Sequence, residues 1–156
     1  LIVVNDGEER RRLEKSLPAN VRMLGRVPFG DLPGLYQGAR ALIFPAEEDF
    51  GIVPVEAMAC GTPVIAYRRG GALDSVVDGQ TGLFFDRQEL EALCQAVRRF
   101  EALEPRFQPE AIARYAQKFS AARFRDQFEA VVRRALADQS AGRTKSISRE
   151  GVAVPV

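Results

Sequence analysis

Short apolar runs alternate with segments of helical periodicity from residue 1 to about residue 87. The runs predict strands over 1–4, 21–24, 41–44, 64–67 and 82–85, and the segments between them predict helices over 7–17, 32–39, 51–59 and 71–77. Strands that alternate with helices are typical of a parallel sheet with helices on both faces. We therefore expect an α/β, Rossmann-like fold with a sheet of about five strands.

After residue 87 only helices are predicted, over 88–101, 110–118 and 121–138. The last of them carries an apolar stripe at three- and four-residue spacing, made of Phe124, Phe128, Val131, Val132 and Ala135. Packing of this stripe into the core is the favoured interpretation, and docking of a partner is the alternative. Periodicity is lost from residue 139, so we expect a domain over 1–138 and a disordered tail over 139–156.

Composition narrows the class of protein. The chain has 156 residues, enough for one domain with its own core, and 46% of them are hydrophobic. Its 22 basic and 21 acidic residues nearly cancel, so no nucleic-acid partner is expected. No apolar run has the length of a bilayer span, and Cys60 and Cys94 lie in helical patterns that favour reduced thiols. A cytosolic setting is expected.

Two carboxylates flank a glycine turn between the predicted strand 41–44 and the next helix. Gly51 permits close approach of a ligand to the backbone, and the first amides of a helix form a natural anion site. Glu56 lies about a turn and a half into that helix, where its carboxylate could accept hydrogen bonds from a vicinal diol. Glu48 lies before the turn. An isolated pair of acids would more often form exposed salt bridges, but this context favours a ligand site.

The acids belong to a longer pattern that resembles a known family. Glu48 and Glu56 form an E-x7-E motif that is followed by Ala-Met-Ala-Cys-Gly-Thr-Pro-Val-Ile over 57–65, by Gly70-Gly71 and by Asp-Gly-Gln-Thr-Gly over 78–82. In order and spacing, residues 1–119 resemble the nucleotide-sugar half of retaining glycosyltransferases with the GT-B fold, the family 4 group. The resemblance implies that this chain is the C-terminal, donor-binding half of a GT-B fold, followed by helices.

The resemblance also implies a role for each matched residue. Glu56 would bind the ribose hydroxyls of the nucleotide, and Glu48 would lie near the donor sugar as the catalytic residue. The backbone around the turn would contact the sugar and the diphosphate, and the end of the second strand would border the base. These two groups are Phe50, Gly51 and Ile52, and Gly25, Arg26 and Val27.

The implied reaction transfers a hexose from a nucleoside diphosphate to a glycan or lipid-linked acceptor, with retention at the anomeric carbon. It needs no metal and no cofactor besides the nucleotide-sugar donor, and analogy favours GDP-mannose. The absence of histidine is consistent with a route in which the diphosphate itself takes the proton. The expected partners are the nucleotide sugar and a missing N-terminal acceptor-binding domain, through which peripheral contact with a membrane would arise.

At several positions this sequence departs from the pattern of the family. The family's diphosphate-binding Arg and Lys belong to a strand that would precede Leu1, so the chain by itself is expected to bind donor weakly and not to turn over. Arg68 and Arg69 are expected at the solvated surface, and Asp74 stands where relatives often have Glu. The alternatives are a non-catalytic nucleotide-binding fragment that needs a partner domain, a nucleotide-sugar epimerase and a glycogen-type phosphorylase. The phosphorylase is disfavoured because this chain has no suitably placed lysine for pyridoxal phosphate.

Overall fold

Five strands and seven α-helices make up the fold in the computed structural model, which describes residues 1–4 and 6–140. The strands are β1 Ile2–Val4, β2 Arg22–Gly25, β3 Leu42–Phe44, β4 Val64–Tyr67 and β5 Gly82–Phe85. They alternate with α1 Arg10–Leu13, α2 Leu32–Gln37, α3 Ile52–Ala59 and α4 Ala72–Ser75, and are followed by α5 Leu90–Leu103, α6 Pro109–Ala116 and α7 Ala121–Ser140. The predicted α/β architecture with C-terminal helices is confirmed.

All strand pairings are parallel, but the strands form two sheets. β1 pairs with β2, and β3, β4 and β5 pair in that order. The prediction of one sheet of about five strands is therefore wrong for the described residues. Apolar runs indicate how many strands there are, whereas the adjacency of strands depends on which edges meet in the folded chain.

The core lies around the three-stranded sheet. Val64, Ile65 and Ala66 of β4 are buried in succession, as is the whole of β5. Successive side chains of a strand point to opposite faces, so such a run requires both faces to be covered. Helices α3 and α5 contact this sheet, and α6 packs on α3. The β1–β2 pair is much more exposed, with Leu1 and Ile2 more than half accessible.

Two predicted helices are shorter than the periodicity indicates. Helix α1 continues only as a single 3₁₀ turn over Glu14–Ser16, and Leu17 is extended with ψ 129°. Leu17 precedes Pro18, whose ring disfavours the helical conformation in the residue before it. Helix α4 is one turn long because Val76 is again extended.

The apolar stripe of α7 does not enter the core. None of the helix's residues is buried, and Phe124 and Phe128 are 67% and 58% exposed. The core-packing interpretation of this stripe is wrong, because α7 makes its main contacts with the turn over Gln117–Phe119 rather than with the sheet. Its last residues, 139 and 140, belong to the predicted tail, and the rest of that tail lies outside the described residues. None of the described helices has the length and apolar character to cross a bilayer.

Truncation of a core residue should therefore lower the free energy of unfolding much more than truncation of a residue in the α7 stripe. Ile112 of α6 is fully buried, so Ile112→Ala should lower the free energy of unfolding by about 2–5 kcal/mol. Phe128→Ala removes an exposed ring and should change it by less than about 0.5 kcal/mol. Urea denaturation followed by circular dichroism measures both. A loss for Phe128→Ala as large as that for Ile112→Ala would contradict the exposed position of the α7 stripe.

Candidate functional site

Two loops lie side by side at the carboxyl edge of the three-stranded sheet. One follows β3 and runs over 45–51 into α3, and the other follows β4 and runs over 68–71 into α4. The strands are neighbours, with Phe44 opposite Ala66, so the loops leave the sheet at adjacent points. In open parallel sheets this edge is where ligands bind. The loops place Glu48, Phe50 and Gly51 there, as the sequence predicts.

The second loop holds the first through backbone contacts of two glycines. The amide of Gly71 donates to the carbonyl oxygen of Glu48 at 2.8 Å. A Cβ atom on Gly71 would lie 2.3 Å from the Cα of Phe50, and one on Gly70 would lie 2.2 Å from the oxygen of Glu48. Because neither approach leaves room for a side chain, the glycine pair sets the position of the loop that carries Glu48.

An aromatic contact supports the same loop on another side. The ring of Phe50 packs edge-on against Phe119, with centroids 6.0 Å apart, and Phe119 in turn packs against Tyr115 of α6. The side chain of Phe50 therefore has a structural partner. Its predicted contact with the donor concerns the backbone amide and stays a prediction.

Gly51 caps the N-terminus of α3 without a side chain. Its φ and ψ are both 75°, a left-handed conformation that costs other residues about 1–2 kcal/mol. The amides of Ile52 and Val53 have no backbone acceptor among residues 1–4 and 6–140, and both residues are exposed. Pro54 follows in the first turn, where its missing N–H removes no hydrogen bond. The positive end of the helix is thus open to an anion.

The two acids of the motif lie in different surroundings. Glu56 is half-buried, and its Oε2 accepts a hydrogen bond of 3.1 Å from the hydroxyl of Tyr36. Glu48 is exposed, and within the described part of the chain its carboxylate has no hydrogen bond or ion pair. One acid is held in place and the other is free to approach a ligand.

Tyr36 is a site residue that the sequence did not identify. It lies near the end of α2, 20 positions before Glu56, and is half-buried. Burial and the Glu56 carboxylate raise the pKa of Tyr36 to about 12, so its hydroxyl remains a donor at neutral pH. A tyrosine among apolar residues of a short helix is ordinary core material, and only the fold brings it to the acid.

The residues predicted to border the base lie at the end of β2, in the other sheet, and directly after it. Gly25 ends β2 with φ 69°, followed by the exposed Arg26 and the half-buried Val27. No hydrogen bond joins these three to residues 48–56 in the described part of the chain. Arg10 lies against Gly25, where an added Cβ would come within 2.3 Å of its guanidinium. Their contact with the base stays a prediction.

One of the three remaining charged candidates is engaged elsewhere. Arg68 forms ion pairs with Asp86 at 2.7 Å and Asp78 at 3.5 Å, and its guanidinium lies over the ring of Phe84. Arg69 and Asp74 are exposed. The described residues contain no group of three or more His, Cys, Asp or Glu side chains arranged to hold a metal ion.

The fold is that of a Rossmann-like α/β domain. Domains of this class commonly bind phosphorylated ligands at the carboxyl edge of the sheet, where this chain has an open helix N-terminus and two acids in different surroundings. Residues 1–119 match the family of glycosyl transferases group 1, and the chain belongs to that family.

Curated relatives carry glycosyltransferase names. D-inositol 3-phosphate glycosyltransferase of Corynebacterium urealyticum is 38% identical over 104 residues, which are 66% of this chain and 24% of that protein. The protein of the same name from Mycobacterium bovis is 34% identical over 145 residues, which are 90% of this chain and 30% of that protein. The chain thus spans less than a third of the length of these relatives.

Solved structures share the fold. Sucrose-phosphate synthase from Thermosynechococcus elongatus matches with a TM-score of 0.76 and 32% identity, over 87% of this chain and 38% of that one. HepE from Anabaena, solved in complex with UDP-glucose, matches with a TM-score of 0.64 and 30% identity, over 79% of this chain and 36% of that one. The GT-B relationship of the fold is therefore confirmed.

The backbone of Phe50 lies so close to Gly71 that we expect even a methyl side chain at position 71 to disturb the structure. Gly71→Ala should displace the 48–50 loop and lower the free energy of unfolding by about 1–3 kcal/mol, because its Cβ meets backbone that cannot move alone. Gly34→Ala is the matched control, since no atom lies within 4 Å of its added Cβ and it lies inside α2. Thermal unfolding and hydrogen exchange at residues 48–51 measure the effect. Equal exchange in the two variants would contradict the role of the glycine pair.

Proposed function

We propose that this chain is the donor-binding half of a retaining hexosyltransferase that uses a nucleoside diphosphate sugar. The observation that supports it most is the pairing of a half-buried, oriented Glu56 with the open N-terminus of the helix on which it lies. A carboxylate that accepts from hydroxyls and a positive helix end suit a ligand that has both a diol and a phosphate.

Each part of the donor has a matching group in this arrangement. The diphosphate binds the free amides of Ile52 and Val53, where the helix dipole favours negative charge. The ribose hydroxyls bind Glu56. The hexose lies beside Glu48, whose exposed carboxylate has no protein partner in the described part of the chain. The segment Gly25, Arg26 and Val27 borders the base.

The charges in this arrangement favour departure of the diphosphate. As the bond between the anomeric carbon and the leaving oxygen breaks, positive charge develops on the sugar and negative charge on the phosphate. Glu48 stabilises the former and the α3 amides the latter. The acceptor hydroxyl attacks from the face that the diphosphate leaves, and a phosphate oxygen takes its proton, so the configuration is retained without a protein base. No bound metal is required in this scheme.

The identity of the donor is a narrower proposal. The motif's form favours GDP-mannose by analogy, while HepE, a relative of similar fold, was solved with UDP-glucose. Selection of the base would fall to the residues after β2 and selection of the sugar to the 48–50 loop. Direct comparison of guanosine, uridine and adenosine donors decides between them.

The acceptor belongs to the proposal for the whole protein. Because the chain spans 24–30% of its curated relatives, we infer that an additional N-terminal domain supplies the acceptor site for a glycan or lipid-linked hydroxyl. A cytosolic location, with peripheral contact to a membrane through that domain, stays a prediction.

Binding of nucleotides tests the ribose assignment. Calorimetric titration with GDP, UDP and ADP and their hexoses should detect binding of one base class. Glu56→Ala should weaken it about 10- to 100-fold, since it removes hydrogen bonds to a charged acceptor. Glu110→Ala is the control, because Glu110 is an exposed acid of α6 outside the site. Unchanged affinity in Glu56→Ala would show that Glu56 does not bind the ribose.

Transfer activity tests the role of Glu48. In a protein that carries this chain together with an acceptor domain, Glu48→Gln should lower kcat about 10²- to 10³-fold through loss of transition-state charge stabilisation. The affinity for the free nucleoside diphosphate should stay within about twofold, because Glu48 faces the sugar. Treatment with EDTA should leave transfer unchanged. A large loss of nucleotide affinity in Glu48→Gln, or loss of transfer in EDTA, would contradict the scheme.

A further inference from the structure

A hydrogen bond joins α2 to the nucleotide-facing acid of α3. The hydroxyl of Tyr36 donates to Oε2 of Glu56 at 3.1 Å. Both side chains are half-buried, and the two helices pack against each other. Nothing in the motif around Glu56 indicates this partner, because Tyr36 lies 20 positions earlier on a separate element.

Tyr36 is held at both ends. Its ring packs against the core cluster, and its carbonyl oxygen accepts a 2.7 Å hydrogen bond from the hydroxyl of Thr62. Thr62 is itself buried, and its amide donates to Ala57 in α3. These contacts fix the tyrosine relative to the helix that carries Glu56. Its hydroxyl therefore restricts the position of the Glu56 carboxylate.

The hydrogen bond leaves the carboxylate able to accept from a diol. Each carboxylate oxygen has two acceptor sites, and the bond from Tyr36 occupies one of the four. Oε1 makes no hydrogen bond with another described residue. Because a glutamate side chain has three rotatable bonds, a fixed donor on one oxygen restricts where the other oxygen points.

The donor character of Tyr36 persists over the physiological pH range. Burial, and after it the hydrogen bond and charge of Glu56, raise the pKa of Tyr36 to about 12. Cys60 adds a smaller effect in the same direction. The phenol therefore stays protonated, and its bond to the carboxylate does not switch off near neutral pH.

We propose that Tyr36 is a positioning residue that orients Glu56 toward the ribose 2′- and 3′-hydroxyls and so sets the preference of this site for ribonucleotides over deoxyribonucleotides. This inference rests on the proposed function, because it takes a ribose as the ligand of Glu56. Tyr36 acts through the carboxylate and does not itself touch the nucleotide.

Affinities for paired ligands test the inference. Tyr36→Phe should weaken binding of the preferred ribonucleoside diphosphate about 3- to 10-fold, the range expected from one hydrogen bond. It should leave the affinity for the matching 2′,3′-dideoxy nucleotide unchanged, because that ligand cannot use Glu56. In a Glu56→Gln background the same substitution should have no further effect, since the group through which it acts is already altered. Tyr67→Phe, which removes a hydroxyl with no described hydrogen bond, is the matched control.

The outcomes separate the inference from the proposed function. If Glu56→Gln weakens binding but Tyr36→Phe keeps the wild-type preference for ribose, the positioning role is wrong and the proposed function stands. If Tyr36→Phe weakens ribo- and dideoxy nucleotides equally, the tyrosine acts on the fold and the inference is also wrong. If Glu56→Gln binds like wild type, or wild type binds no nucleotide, both fail.

A measurement without ligand tests the contact itself. With a carbon-13 label at tyrosine Cζ, the signal that disappears in Tyr36→Phe should keep its protonated shift at about pH 11, where a tyrosine with the usual pKa of about 10 is mostly ionised. In Glu56→Gln the midpoint of this signal's titration should fall, because the charge that acts together with burial to raise the pKa of Tyr36 is removed. An unchanged midpoint would show that the Glu56 carboxylate does not act on Tyr36 and would overturn the inference.

Discussion

The site depends on the close approach of two backbones at the carboxyl edge of the sheet. Gly70 and Gly71 follow β4 and pass so near the Glu48–Phe50 loop that neither position has room for a Cβ. The hydrogen bond from Gly71 to the carbonyl of Glu48 then joins the loops that follow two neighbouring strands. This contact determines where Glu48 lies and where α3 begins, and hence where the helix amides and Glu56 are presented.

The two acids of the motif differ in their surroundings and therefore in how freely each carboxylate can move. Glu56 lies inside a helix, half-buried, with a tyrosine hydroxyl on one oxygen, so its carboxylate has a restricted orientation. Glu48 lies on an exposed loop and has no side-chain partner in the described part of the chain. A rigid acceptor suits recognition of a fixed diol, whereas a free carboxylate can follow charge that develops during a reaction. The spacing of eight residues alone does not distinguish these surroundings.

The predictions that failed concern relations between distant segments. Five strands were identified near their observed positions, yet their division into two sheets depends on which edges hydrogen-bond. The stripe on α7 has the spacing of a core-facing helix, but no sheet face lies beneath it in the described residues. Periodicity reports that a face is apolar and does not report what covers it. The helix ends are a local exception: Leu17 and Val76 end helices earlier than the pattern indicated, the former because Pro18 follows it.

The sequence alone determined the local features: the order of strands and helices, the glycine turn before α3, and the motif that relates the chain to glycosyl transferases group 1. Each depends on residues close together in the chain. The tertiary structure decided the rest, including the support of the Glu48 loop by Gly71, the packing of Phe50 on Phe119 and the bond from Tyr36 to Glu56. These contacts join segments about 20 to 70 residues apart, and their geometry exists only once the sheet and helices have packed.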